Sequence, residues 1–515
     1  MSKVVNRISQ MLMCLVLIFA LSFISTPVLN ANEGEINVTI DGELVNFDVA
    51  PQIIGGRTMV PMRAILEALG AGVEWYGDAQ TIVATTASGE VIHLGIGSNT
   101  VIVNNRRIDM DVAPIISDGR TLVPARFVAE AMGMSVEWDE RINTVAITLP
   151  HIQQVIAGVN NSFALTDNGV LWRWQGFIGE LSPSRDMDNV SSVSVGEAHT
   201  MVIRDDGSLW GFGCNQFGKL GDGTDVWRHT PVKVMEDVVS VSAGKSHTMV
   251  IRTDGSLWAW GGNYSGQLGD GTTEDRFNPV RIMNNVAAVS AGDSHTMAIR
   301  TDGSLWVWGD NGSGQIGAGD YGVYAVYHDV GEWSSFESTP AVVDVYGNHV
   351  IEIFVGERDV EWFSFKQLTP VRVMGGVVSI SAGSGYSMAI GHDGALWAWG
   401  RDAFISPEYG WITSEIISRP MRVMNDVVSA SSGVWHNMAL RADGSLWVWG
   451  INEHGNFGDG TNISRRIPIR IMDDVSYVSA GGRNTMVIRN DGSVWGWGER
   501  FDERPIELMG ATRQQ

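Results

Sequence analysis

"HTMVIRTDGSLWAWGGNYSGQLGDGT" occupies residues 247–272. Forty-eight residues earlier, at 199–224, stands "HTMVIRDDGSLWGFGCNQFGKLGDGT"; forty-eight later, at 295–320, stands "HTMAIRTDGSLWVWGDNGSGQIGAGD". Aligning on Leu-Trp or Val-Trp gives seven copies, with Trp172, Trp210, Trp258, Trp306, Trp397, Trp447 and Trp495 in one slot. A period near 50 is the mark of an array or a propeller, and it has to be recognised before any site is argued.

Each copy parses into strands. "VVSVSAG" (238–244) alternates apolar and small residues, and "HTMVIR" follows as a second strand. Asp254-Gly255 makes a tight turn, because glycine accepts positive φ. "SLWAWG" is a third strand, with Leu257 and Ala259 on one face and Trp258 and Trp260 on the other. Both faces are apolar, so the sheet is packed on both sides. "PVRIM" (279–283) reads as an outer strand, where proline is tolerated. Four strands per unit, seven times over, predict a seven-bladed β-propeller across residues 151–510.

The patterns G-x-x-H-T, D-G-S-L-W-x-W-G and N-x-x-G-Q-L-G-D-G-T resemble repeats of the regulator of chromosome condensation family, whose fold is a seven-bladed propeller. The copies around Trp172 and Trp495 lack the "GQLGDGT" loop, and these shortened ends are expected to meet where the ring closes. The family's nucleotide-exchange activity on a nuclear GTPase is not expected to carry over, since fold alone does not supply function.

Residues 32–150 have a different texture. "APQIIGGRTMVPMRAILEALGAGVEW" begins at Ala50 and "APIISDGRTLVPARFVAEAMGMSVEW" at Ala113, an offset of 63. Each copy has a Gly-Arg-Thr turn, a proline suited to a first helical turn, a short amphipathic helix stopped by Gly70 or Gly133, and then strands. This predicts a small tandem α+β domain. It resembles the copper amine oxidase N-terminal-like domain of many secreted bacterial proteins. The oxidase's catalytic core is a separate domain, and the single His93 in this segment cannot build a three-histidine copper site. Arg63 and Arg126, at matched helix starts, read as ion-pairing groups rather than anion ligands.

The first 31 residues read as a secretory signal: Lys3 and Arg7, an apolar run at 11–24, and a cleavage site after Ala31. The run is short for a membrane span, though an uncleaved anchor is the other reading. The sequence holds no second apolar run long enough to span a bilayer. Loss of Lys3 and Arg7 takes the net charge from −23 to −25. Such a surface repels phosphate backbones and argues against nucleic acid as a partner. Cys214 is the one cysteine beyond the signal, so no internal disulfide is expected.

Candidate chemistry is sparse. His199, His247, His295 and His436 share one slot, but Asn161, Tyr386 and Asn484 fill it elsewhere, which suits a buried hydrogen-bonding position better than a metal ligand. Asp222, Asp270 and Asp459 lie in "GDGT"; a calcium loop needs more alternating acids and a distal glutamate. No catalytic residues, metal ligands or cofactors are assigned.

The break in period is sharper. Trp306 and Trp397 are 91 apart, 43 more than 48, placing an insert near 320–365. Its aromatics include Tyr324, Tyr327, Trp333, Phe336, Trp362 and Phe363, and 350–365 reads as a projecting hairpin. Aromatics with polar rims suit recognition; packing of the loop onto its own blade is the alternative. The expected function is binding, not catalysis: a secreted or cell-surface protein that recognises an extracellular protein or an envelope glycan through blade loops and the insert. Some secreted bacterial propellers similar to this family cap and inhibit β-lactamases, which makes a proteinaceous enzyme inhibitor the alternative; a polysaccharide-active enzyme ranks third.

Overall fold

The computed structural model describes residues 35–86, 91–103, 106–159, 161–174, 183–319, 326–327, 341–344, 349–355, 360–401 and 416–510; at 106, 326–327, 341–344, 349–355 and 360–365 only the backbone is described. The chain divides into two compact units. One comprises residues 1–132 and 136–148; the other comprises 133–135 and 149–515. No described helix is long and apolar enough to cross a membrane.

The smaller unit is a duplicated α+β fold. Hairpins Gln52–Ile54/Arg57–Pro61 and Ile115–Ser117/Arg120–Pro124 join into one four-stranded sheet, with Val60 opposite Val123. Each leads into a seven-residue helix, Met62–Ala68 or Ala125–Ala131. Their buried faces, including Ile65, Leu66, Val128 and Ala129, supply the core. The copies are tied crosswise. Arg57 pairs with Asp111 of the second copy, and Arg120 with Asp48 of the first, the same pair shifted by 63. Arg63 pairs with Glu67, and Arg126 lies 3.9 Å from Glu130. The expected helix-start ion pairs are therefore present.

The larger unit is the propeller. Seven sheets follow one another, beginning at Ile152, Val190, Val238, Val286, Val377, Val427 and Val475, and all but the one at Val286 have their four strands in chain order. The first strands of successive sheets are neighbours, and that of blade 7 adjoins that of blade 1. Among the described residues no blade borrows a strand from the other end of the chain, so the ring is closed by juxtaposition. Five of the six two-residue links between blades are helped by a left-handed Asn or Asp: Asn189, Asp237, Asn285, Asp426 and Asp474 all have φ near +58°. These residue types visit that region more readily than others. Gly376 holds the position in the sixth.

Blade cores are shared across neighbours. Trp260, Trp308, Trp399, Trp449 and Trp497 are fully buried, each packed against aliphatics of the preceding blade. The seam between blades 7 and 1 is a wider apolar cluster that includes Trp172, Trp174, Met486 and Leu508.

Blade 4 departs from the rule. Its fourth strand is extended to fifteen residues, Val360–Met374. The distal half completes the blade, with Leu305 opposite Met374; the proximal half pairs with His349–Val355 as an antiparallel hairpin. The backbone of the insert therefore forms the hairpin read from the sequence.

Candidate functional face

The repeated residues serve the ring. His247 Nε2 lies 2.9 Å from Thr296 Oγ1 on the next blade, and Thr296 donates its own proton to the Gln267 carbonyl at 2.7 Å. The hydroxyl hydrogen is thus used, so the histidine must be the donor. Trp308 Nε1 donates to that same carbonyl at 2.9 Å. The clasp recurs with His199, Thr248, Lys219 and Trp260; with His295, Ser387, Gln315 and Trp399; and with His436, Thr485, Asn456 and Trp497. Burial holds His247 down at about 3, aided by the charge His295 would carry, and holds His295 and His436 at about 4. These imidazoles are neutral donors at four of the seven blade interfaces. Among the described residues no three His, Cys, Asp or Glu gather as a metal-ligand set.

A second belt escaped the sequence reading. Ser242 Oγ accepts the Ala291 backbone N–H of the next blade at 2.9 Å. Ser194, Ser290, Ser381, Ser431 and Ser479 do the same for Ala243, Ala382, Ser432, Ala480 and Ala157. The alternating "S-V-S" had been visible only as small residues. Blade 1 carries Ile156 in that slot.

The "GDGT" carboxylates are also committed. Asp270 accepts from Thr272 Oγ1 at 2.7 Å, Arg276 Nε at 2.7 Å and Asn263 Nδ2 at 3.1 Å. Burial raises its pKa, but the Thr272 and Arg276 hydrogen bonds outweigh that and hold it below the usual range. The loop is closed by its own residues.

What varies from blade to blade collects on one face. The third strand of a blade ends opposite the start of its second: Gly261 faces His247, Gly309 faces His295 and Gly498 faces Asn484. The turn between strands one and two and the loop between strands three and four therefore emerge at the same side. In the short turn the glycine is the same in every copy, and the fourth position holds a hydrogen-bonding His, Asn or Tyr. A side chain at Gly244 would meet the Gly292 carbonyl at 2.5 Å and its own His247 ring at 2.7 Å. The two residues between are free to differ: Glu197, Lys245, Asp293, Ser384, Val434 with Trp435, and Arg483.

All of these but Ser384 rim a cavity of about 810 Å³ walled by the ring's glycines. Its polar groups are arranged in local pairs. Lys245 Nζ lies 4.0 Å from Glu197, Ser384 Oγ donates to Asp293 at 2.6 Å, and Arg483 donates to Glu499 at 2.7 Å. Burial pushes the Asp293 carboxyl up, opposed by Ser384 and Lys245. Trp435 keeps 42% of its surface exposed at this rim. Nearby loops of the same face expose Phe217, Trp227 at 59% and Tyr264 at 63%. The Lys366 ammonium stands 3.7 Å from the Tyr264 ring centre.

The blade 4 insert leaves from this face too, since Asp310 pairs with Lys366 at its root. Of the aromatics named from sequence, Tyr327 lies opposite Val360, Trp362 opposite Phe354 and Phe363 opposite Ile353 on paired backbones. Tyr324, Trp333 and Phe336 lie outside the described residues. The rim residues were missed by the sequence reading. The usable signal was variation at two positions inside an otherwise repeated G-x-x-H.

Comparison with known proteins agrees with this architecture. Residues 39–147 match the copper amine oxidase N-terminal domain. Two profiles of the regulator of chromosome condensation (RCC1) repeat match residues 206–251, 254–299 and 443–488, and residues 190–219, 238–267, 286–315 and 427–456. Among solved structures, Prp20p from Saccharomyces cerevisiae, reported with its binding to Gsp1p and histones, is 19% identical. The match covers 64% of this chain and 80% of that one, with a TM-score of 0.50. Human WBSCR16 is 20% identical over 64% of this chain and 84% of that one, with a TM-score of 0.49. At such identities the likeness concerns fold alone. The chain carries a copper amine oxidase N-terminal domain followed by a propeller of regulator of chromosome condensation repeats.

Proposed function

We propose that this protein is an exported binding module whose propeller recognises a protein partner with the face bearing the rim and the blade 4 hairpin. One observation carries the reading. The residues common to all blades are buried and spent on the ring, whereas those that differ, Glu197, Lys245, Asp293, Trp435 and Arg483, are gathered at one opening. A mixed-charge rim with exposed aromatics is the composition of a recognition surface. Export is supported by the basic and apolar pattern of residues 1–31, and the acidic surface suits an extracytoplasmic partner rather than nucleic acid.

The test is retention of a partner from culture-fluid and envelope extracts by the mature chain and by Trp435→Ala/Arg483→Ala. Loss in the double variant, with unchanged thermal stability, supports the face. Retention by both removes it. A retained hydrolase whose activity is blocked selects enzyme inhibition, and elution by free oligosaccharide selects a glycan at the propeller.

A further inference from the structure

The logic that sorts scaffold from site in the propeller gives a different answer in the small unit. Trp75 and Trp138 occupy equivalent places, 63 apart. In the propeller the repeated Trp260 and Trp308 are fully buried, and the half-buried Trp258 and Trp306 pack against the blade cores. Trp75 is 43% exposed, and Trp138 is half-buried beside a cleft of about 320 Å³.

The cleft is built from both copies. The first copy's hairpin supplies Ile53, Arg57 and Thr58, and the second copy's helix start and strand supply Arg126, Glu137 and Trp138. Ile53 is 62% exposed at its edge. The crossed Arg57–Asp111 and Arg120–Asp48 pairs relate the copies, so Ile116, Thr121, Arg63, Glu74 and Trp75 form the matching set. Its Ile116 and Trp75 are both exposed.

We propose that this unit binds a carbohydrate chain, with an uncharged, hydroxyl-rich sugar residue set against Trp138 and a second against Trp75. The volume suits a small ring and is at the low end for ligand sites. An indole face offers apolar contact to a ring's C–H groups. Arg126, Glu137 and Thr58 line the cleft and supply donors and acceptors for hydroxyls. The charges do not favour an anion. Arg57 is matched by Asp111, Arg126 faces Glu130 at 3.9 Å, and Glu137 adds a negative charge. The duplication gives two sites on one polymer, which raises avidity without new contacts.

The experiment titrates the full mature chain with tetramers of glucose and of N-acetylglucosamine, read by calorimetry and by tryptophan fluorescence. At least one tetramer is expected to bind, with little change between low and high salt, because no net charge is neutralised. Trp138→Ala should weaken binding roughly tenfold or more, as truncating a central aromatic anchor does. Arg126→Ala and Glu137→Gln, both at exposed side chains, keep the test valid should Trp138→Ala fail to fold. Trp435→Ala in the propeller should bind as the parent does, which separates this site from the propeller face. Failure of both tetramers to bind, affinity unchanged in the cleft variants, or loss in Trp435→Ala would each overturn the proposal.

Discussion

His199 Nε2 and Thr248 Oγ1 sit 2.9 Å apart across the boundary between blades 2 and 3, both buried. Thr248 in turn gives its proton to the Lys219 backbone carbonyl at 2.8 Å. Thr248→Val keeps the shape and leaves both His199 and the carbonyl short of a partner. Orphaning a buried donor costs about 1–3 kcal/mol. A lowered unfolding midpoint is expected.

The same histidines make the fold acid-sensitive. Folded values near 3 to 4 lie below the unfolded value of 6.5, so the folded state binds fewer protons than the unfolded one. Stability from these groups is complete above about pH 6.5 and is lost as pH falls toward the folded values, at about 1.4 kcal/mol per unit per histidine. Asp293 and Asp310, raised by burial, act in the opposite sense. Thermal midpoints should fall from pH 7 to pH 5. His247→Asn, the residue found in blade 7's slot, should flatten that dependence; an equal slope in both chains would count against the assignment.

Backbone crowding around the channel makes one glycine irreplaceable and a near neighbour tolerant. Gly244→Ala drives a methyl to 2.5 Å from the Gly292 carbonyl, and overpacking of this kind costs about 1–3 kcal/mol. Gly262→Ala meets chiefly the Ser246 side chain, at 3.1 Å, which can turn away. Denaturant unfolding of the two variants should separate them clearly.

Because Asp270 already accepts from Thr272, Arg276 and Asn263, calcium would have to displace those bonds to use it. Adding calcium or a chelator should leave the melting temperature unchanged. Asp270→Ala should lower it, since Arg276 and Asn263 lose their acceptor. A midpoint that rises several degrees with calcium would show that the loop is a metal site.

The propeller was legible because each blade must bury both faces of its sheet. That need writes the same apolar alternation and tryptophans seven times, with an Asp-Gly turn in six copies and Asn168-Gly169 in the first. The hairpin in the insert was legible for the same local reason. The Ser242-to-Ala291 belt was not, because a serine's partner belongs to a different blade and leaves no local trace. Nor was the rim: Glu197, Lys245 and Trp435 are far apart in sequence and meet only after the ring closes.

The account's central claim is that the face carrying the variable turns and the blade 4 insert is the one that recognises a partner. Its most direct measurement compares three mature chains on the same extracts: the parent, Trp435→Ala/Arg483→Ala, and a chain with residues 320–365 replaced by a short loop of the blade 3 type. The account predicts that a partner held by the parent is lost from both altered chains while their melting temperatures stay close to the parent's. Full retention by both would contradict it and move the binding surface off this face.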